Sequence, residues 1–480
     1  MASGSRQSGA AATAGAPDCV TSRPGSGRVT FDYTLPVMPP PPASAPPGLT
    51  RAIGLPQAAA IVIGTIIGTS IFVQPSEITR EVPTITGILV AWSVAGLLTF
   101  IGALVCAELA TAFPHTGGVY VFLREAFSTR VAFMWGWANF WSIHSGIIAA
   151  ISMVCARYIA FFVEMTTFQQ QLAAAGVIAA ISAINYVGVR TGTTVQTTIT
   201  AAKLVAVLAL LVGGIVLSGA GGGDPWRLSV AELTAVPLDR LLLGIGAGLF
   251  AFGGWHMVTY TAGETTDPVR TLPRALTIGV VVVTLCYIGL NAVYLYVLPL
   301  DAVRRSPRIA ADVAQVLVGP GGASAVSALV VVSAVGALTG IILGGPRMYL
   351  SMAQDGVMLP WVNAVHPVYR TPHRAIVLQA VWASVLVLTG SYPTLFGRVI
   401  YMEWFFFALM TVGLFVLRKR PSYQPAYRMW GFPVAPALFI LASAAIVLNQ
   451  LRSQPSEALF GAAVVASGWP VARWLTRRRG

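Results

Sequence analysis

The stretch Gly64-Thr65-Ile66-Ile67-Gly68-Thr69-Ser70 puts conformationally loose residues in the middle of a run long enough to cross a bilayer. A helix there is expected to break. Residues 55–76 number 22, about 33 Å of helix at about 1.5 Å per residue, which matches a hydrocarbon core of about 30 Å. Main-chain groups freed at that depth cannot reach bulk water and must face a cavity or a ligand. The plain alternative is close helix packing, because Gly64 and Gly68 form a small-xxx-small pair. A second interrupted run, Phe250-Ala251-Phe252-Gly253-Gly254-Trp255-His256, shifts the balance, since paired breaks in two halves of a chain point to the binding site of a secondary transporter.

Composition sets the class. The 480 residues are 56% hydrophobic and 10% charged, which describes an integral membrane protein. Apolar runs are read at 55–76, 85–113, 131–159, 171–187, 196–218, 241–262, 275–298, 325–346, 374–391, 396–417, 432–450 and 456–474, giving twelve spans. The formal charge of +13 would suggest nucleic acid in a soluble chain. With the amino terminus placed in the cytoplasm, however, 21 of the 30 basic residues fall on the inner side, and 18 against nine remain once Arg6, Arg23 and Arg28 are set aside. That asymmetry places both termini inside and makes a nucleic-acid partner unnecessary. Residues 1–50, ending in a proline run, read as a disordered tail with no apolar face and no signal-peptide pattern. The segment 114–128 reads as a short interfacial helix, with a solvated loop as its alternative, and the outer segment 300–323 as a partly ordered connection. Cys19, Cys106, Cys155 and Cys286 form no CxxC pair, so neither a disulfide framework nor a zinc site is indicated.

A broken helix offers N–H groups of partial positive charge to a carboxylate and loose carbonyls to an ammonium. A zwitterion satisfies both. Gly68, Thr69 and Ser70 would supply N–H donors, and the carbonyls of Ile66, Phe250, Ala251 and Gly253 would receive the amino group.

The order of motifs resembles the amino acid–polyamine–organocation superfamily, and within it the L-type amino acid transporters and their bacterial relatives. The resemblance is carried by 64–72, by Pro114-His115-Thr116-Gly117-Gly118-Val119-Tyr120 with Leu123-Arg124-Glu125-Ala126-Phe127, and by 250–255 with Glu264 and 267–275. Arg347-Met348-Tyr349, 353–356, His366-Pro367, Thr371-Pro372, Gly413-Leu414 and 417–421 complete it. It implies an all-α membrane protein of twelve helices with the LeuT-type arrangement. Two inverted five-helix repeats, 51–218 and 241–418, are joined by an outer linker, 219–240, and followed by helices eleven and twelve and a basic end, 419–480. Helices one and six are then broken at the substrate. The resemblance makes Phe250 an aromatic gate and Trp404 a pocket wall. The sequence departs from the family pattern at Ser70, which replaces a usual glycine, at Gly263, which replaces an acid, and at His256, where Asp or Asn is more usual.

Lys203, about seven residues into the fifth span, costs about 2.5–3.5 kcal/mol at mid-depth unless it snorkels to the surface. The resemblance assigns it the place of a sodium ion, bridging helices one and eight, and so implies sodium-independent transport. His256 is the titratable side chain within the breaks; a packed histidine and a proton-sensing one are the two readings. Glu108, Glu264 and Glu403 are expected near membrane edges as structural partners.

No HExxH, GxSxG or phosphate loop is present, so an enzyme and an ATP-driven pump are not supported, and no cofactor or metal is expected. The absence of an acid at the breaks favours neutral L-amino acids, moved by exchange or proton-linked entry through the cell membrane. A carrier of cationic amino acids or polyamines is the alternative, and a receptor that binds without transport is the alternative of another class. The loop 163–170 has no cysteine, so no disulfide-linked glycoprotein partner is expected.

Overall fold

The computed structural model describes residues 50–217, 228–306, 308–389 and 392–477. The expected tail, apart from Thr50, the last residue of the expected first repeat (218) and residues 219–227 of the outer linker lie outside the described residues. The helices are α1 (Leu55–Ile66), α2 (Gln74–Glu81), α3 (Ile85–Ala112), α4 (Val119–Ala126), α5 (Thr129–Ala138), α6 (His144–Ile159), α7 (Thr167–Val187), α8 (Val189–Leu217) and α9 (Val230–Thr234). They continue with α10 (Leu238–Ala251), α11 (Pro268–Val297), α12 (Leu300–Arg305), α13 (Ile309–Val318), α14 (Pro320–Gln354), α15 (His373–Thr389), α16 (Tyr392–Arg418), α17 (Val434–Ser453) and α18 (Pro455–Arg477).

Local chemistry sets many of these starts. Pro56, Pro75, Pro268 and Pro320 stand in the first turn of their helices, where a missing N–H costs nothing. The Thr84 hydroxyl accepts from Gly87 N at the head of α3, and Thr166 and Gln169 form a reciprocal capping box at the head of α7. Between α5 and α6 the chain makes one π turn, Asn139–Ile143. No β-strand is formed among the described residues; a single bridge joins Ile53 to Thr265.

Among the described residues, eleven segments are long and apolar enough to cross a membrane. The 17-residue α15 covers the expected span 374–391 as far as Thr389. With its many spans the chain is a multi-pass membrane protein. The segments differ in position: Leu55–Phe72, Thr129–Ile159, Leu238–Glu264 and Pro320–Gln354 are 72–83% buried, whereas Thr167–Val187, Thr193–Leu217, Val434–Ser453 and Ala458–Leu475 are only 22–28% buried. The first group therefore forms the centre. The second turns side chains such as Val205, Ile215, Val216 and Leu441 outward, as lipid-facing helices do.

The connection at 300–323 is more ordered than expected. It folds into α12 and α13, because Ile309, Ala310, Val313 and Ala314 make an apolar face that α13 buries against α8, α11 and α14. Segment 114–128 is helical over α4, with Val119, Val121, Phe122 and Leu123 buried.

Candidate functional site

The first interruption falls within the glycine-containing stretch 64–70. α1 ends at Ile66, Ile67 leaves the helical region with ψ 77°, and a short 3₁₀ turn, Ser70–Phe72, follows before α2. The two glycines have different work. A Cβ on Gly64 would lie 2.0 Å from Gln196 Nε2 and 2.3 Å from Thr200 Oγ1, so Gly64 allows α8 to approach α1. Gly68 lies in the interruption itself. Its N–H is already spent on Ile66 O at 2.7 Å, which removes it from the expected donor set. The N–H groups of Thr69 and Ser70 donate to no main-chain carbonyl among the described residues.

The second interruption begins after Ala251. Gly253 N donates back to Phe250 O at 2.9 Å, and Gly254 adopts φ 94°, a left-handed conformation that suits glycine. The chain then runs as a ten-residue 3₁₀ stretch, Trp255–Glu264, far longer than the usual three or four residues. Thr65 Oγ1 lies 3.2 Å from Gly254 O, so the two interruptions touch.

They enclose a cavity of about 20 Å³ lined by Thr65, Ile66, Gly68, Ser70, Phe250, Ala251 and Gly253, with Ile147, Ile151, Ile341 and Glu403 completing the wall. This is room for about one water. Of the residues read from sequence, Ile66, Gly68, Ser70, Phe250, Ala251 and Gly253 are thus brought together. Thr69 is buried beside them without lining the space. Trp404 does not line it either; its ring packs on Phe407 and Phe439, and its neighbour Glu403 takes the wall position.

Three side chains reach the main-chain carbonyls of the interruptions. Lys203 is fully buried, and its Nζ donates to Gly64 O at 2.8 Å, to Ile67 O, and more weakly to Ser333 O of α14 at 3.4 Å. Ser333 Oγ adds contacts of 3.1 Å to Ile67 O and Gly68 O. The ammonium therefore stays within the protein and ties α1 to α8 and α14. Tyr287 of α11 has no signal in the sequence. Its hydroxyl lies 2.8 Å from Ile66 O and 3.1 Å from Ala251 O, two of the carbonyls expected to receive an ammonium. One hydroxyl hydrogen serves one of them at a time.

His256 is fully buried among the rings of Trp135, Trp255, Tyr260 and Phe407, and neither ring nitrogen has a hydrogen-bond partner among the described residues. Its Nε2 is 3.9 Å from Glu403 Oε1, which supplies the titratable neighbour that the sequence did not reveal. The expectation for Glu403 is therefore corrected. It lies mid-way along α16, is 4% exposed, and faces the cavity instead of a membrane edge. The reading that no acid stands at the breaks falls with it.

The other two acids are structural. Glu264 and Arg347 form a two-pronged pair with both side chains fully buried, and Arg347 also donates to Leu343 O. Glu108 accepts from Arg418, from Tyr423 Oη at 3.3 Å and from Met429 N at 2.8 Å. Outside the spans, burial and then the Glu108 charge push the Tyr423 hydroxyl above its ordinary range. Arg124 reaches Asp355 at 2.6 Å, and Tyr120 Oη reaches the same oxygen at 2.7 Å. Motifs far apart in the chain thus meet as ion pairs. Among the described residues no cluster of His, Cys, Asp and Glu could hold a metal.

Comparison with known proteins gives a consistent result. The family model described as amino acid permease matches residues 53–468. The b(0,+)-type amino acid transporter 1 of Homo sapiens is 30% identical over 431 residues, 88% of this chain and 87% of that one. The serine/threonine exchanger SteT of Bacillus subtilis (strain 168) is 29% identical over 441 residues, 90% of this chain and 98% of that one. The cystine/glutamate transporter of Homo sapiens is 27% identical over 435 residues, 88% and 86% of the two chains.

Proposed function

Because this chain belongs to the amino acid permease family of the amino acid–polyamine–organocation superfamily, we propose that it is a secondary active, sodium-independent carrier of neutral amino acids, working by exchange or proton-linked entry. Amino acid transport is the activity that its relatives share in name, and none of the relatives compared above is named as an enzyme. The observation that carries the proposal is the pair of interrupted segments meeting across one small cavity lined by buried residues.

In this reading α1 and α10 belong to two inverted five-helix repeats, 51–218 and 241–418, and the substrate lies where both are unwound. The free N–H groups of Thr69 and Ser70 take the carboxylate. The carbonyls of Ile66, Phe250, Ala251 and Gly253 take the ammonium, with the Tyr287 hydroxyl turning aside from one of them. Phe250 covers the site. Lys203 supplies, from a side chain, the positive charge that a sodium ion would otherwise bring to Gly64 O and Ile67 O. The arginine distribution supports cytoplasmic termini, and the cysteine-free loop 163–170 supports a carrier that works without a disulfide-linked partner.

The isoleucine walls favour small neutral side chains, in keeping with the serine/threonine exchanger among the relatives. One observation favours the second reading, cationic amino acids: Glu403 in the cavity wall. Counterflow into proteoliposomes tests the proposal. Preloaded serine or threonine should accelerate uptake of labelled serine in sodium-free medium, and failure of every amino acid to do so rejects transport in favour of a receptor. Lysine or arginine acting better than serine would select the cationic reading.

A further inference from the structure

We propose that Glu403 is the proton-binding group of this carrier, its carboxylate oxygen taking a proton from one side of the membrane and returning it to the other along with a neutral amino acid. This rests on the transport reading above and specifies its coupling.

Glu403 is the only acidic side chain among those lining the cavity. It differs from the other buried acids in having no arginine: Glu108 is held by Arg418 and Glu264 by Arg347, whereas no lysine or arginine lies within ion-pair distance of Glu403 among the described residues. Its Oε1 has no hydrogen-bond partner among the described residues. An ionised carboxylate in that position would be a buried charge without compensation, so with the cavity closed the group is the neutral acid. The space, about 20 Å³, holds about one water. Opening the cavity to either side brings water to the same oxygen and lets the proton leave.

The groups around it keep this charge bookkeeping simple. From the 3₁₀ stretch, His256 Nε2 stands 3.9 Å away and Tyr260 lies beyond it. From α3, Cys106 is engaged with Met410, and Glu108 is already neutralised. From α6, His144 Nε2 is held at 3.0 Å by Ile341 O. From α4, Arg124 is committed to Asp355 and Glu125. On α10, α17 and α18, Asp239, Arg240, Arg452 and Arg473 lie towards helix ends, and Arg240 is paired with Glu81. A proton on Glu403, or shared with His256, therefore leaves the cavity wall itself without net charge, while the Lys203 ammonium does not line the cavity and is spent on Gly64 O and Ile67 O.

The test is steady-state accumulation of labelled serine in proteoliposomes with the outside one pH unit more acidic and the membrane potential clamped at zero. One proton per substrate allows up to about tenfold accumulation per pH unit. Wild-type protein is expected to approach that ratio, and Glu403→Gln to fall to a ratio of about one, read at whatever rate of serine exchange the variant retains. Since the ratio is an equilibrium quantity, a slower variant is still readable. Glu403→Gln that accumulates serine like wild type overturns the assignment. Wild-type protein that performs counterflow without any pH-driven accumulation also overturns it, and leaves the carrier reading intact as a pure exchanger. Wild-type protein with neither activity rejects the carrier reading itself. Should Glu403→Gln be recovered misfolded, Glu403→Asp is read instead: retained accumulation supports the assignment, and lost accumulation with counterflow intact overturns it.

Discussion

Replacing Lys203 by methionine keeps the apolar stem and removes the ammonium. Two charge-assisted bonds, to Gly64 O and Ile67 O, and a weak one to Ser333 O are lost. At about 1.5–3 kcal/mol for each of the two good bonds, the gross loss is about 3–6 kcal/mol. Against this stands relief from burying a lysine in the membrane, about 2.5–3.5 kcal/mol. The net change thus runs from about −0.5 to about 3.5 kcal/mol of destabilisation, small enough for the variant to fold. What remains at Ile67 and Gly68 is the Ser333 hydroxyl, whose one hydrogen serves one carbonyl at a time. The interruption that presents Thr69 and Ser70 then loosens, and counterflow is expected to fall at least about tenfold, or about 1.4 kcal/mol in the barrier. Uptake into proteoliposomes in sodium and in choline media reads the effect, with thermal unfolding in detergent as the folding control. Wild-type uptake should be equal in both media. A Lys203→Met protein that transports at the wild-type rate, or wild-type uptake that collapses in choline, would refute this account of Lys203.

Tyr287→Phe removes the hydroxyl shared between Ile66 O and Ala251 O. It is expected to cost about 0.5–1.5 kcal/mol of stability and to change the KM for serine, both measurable on the reconstituted protein. Gly254→Ala places a Cβ at φ 94° and 3.1 Å from Thr65 Cβ. Strain of about 1–2 kcal/mol is expected, with loss of counterflow in protein that remains monodisperse. Arg347→Met strands the Glu264 carboxylate and should destabilise by about 3–5 kcal/mol, much of it recovered when Glu264→Gln is added. If the double variant is no more stable than Arg347→Met in thermal unfolding, the pair is not the unit described.

The span pattern was legible because length and hydropathy alone set it, and the glycines at 64, 68, 253 and 254 stand around the ends of α1 and α10. Which side chains faced the space between them was less legible. Adjacent residues on a helix point about 100° apart, and α16 is apolar over so much of its circumference that no stripe told Trp404 from Glu403. Tyr287 could not be singled out, being a tyrosine in an apolar run. Gly68 misled for a different reason: its own turn consumed the N–H that its position offered. The motifs of charged residues carry the family resemblance along the chain, and in space they are arginine–carboxylate pairs between its distant parts.

The π turn at Asn139–Ile143 spends one residue more than an α-helical turn would. Everything beyond it in α6 is consequently rotated by about 100° from where an uninterrupted helix would carry it. Ile147 and Ile151 owe their places in the cavity wall to that additional residue. Pocket shape here is therefore set by chain length as well as by side-chain identity, and excising one amino acid between Asn139 and Ile143 would swing both isoleucines away while altering no residue that lines the space.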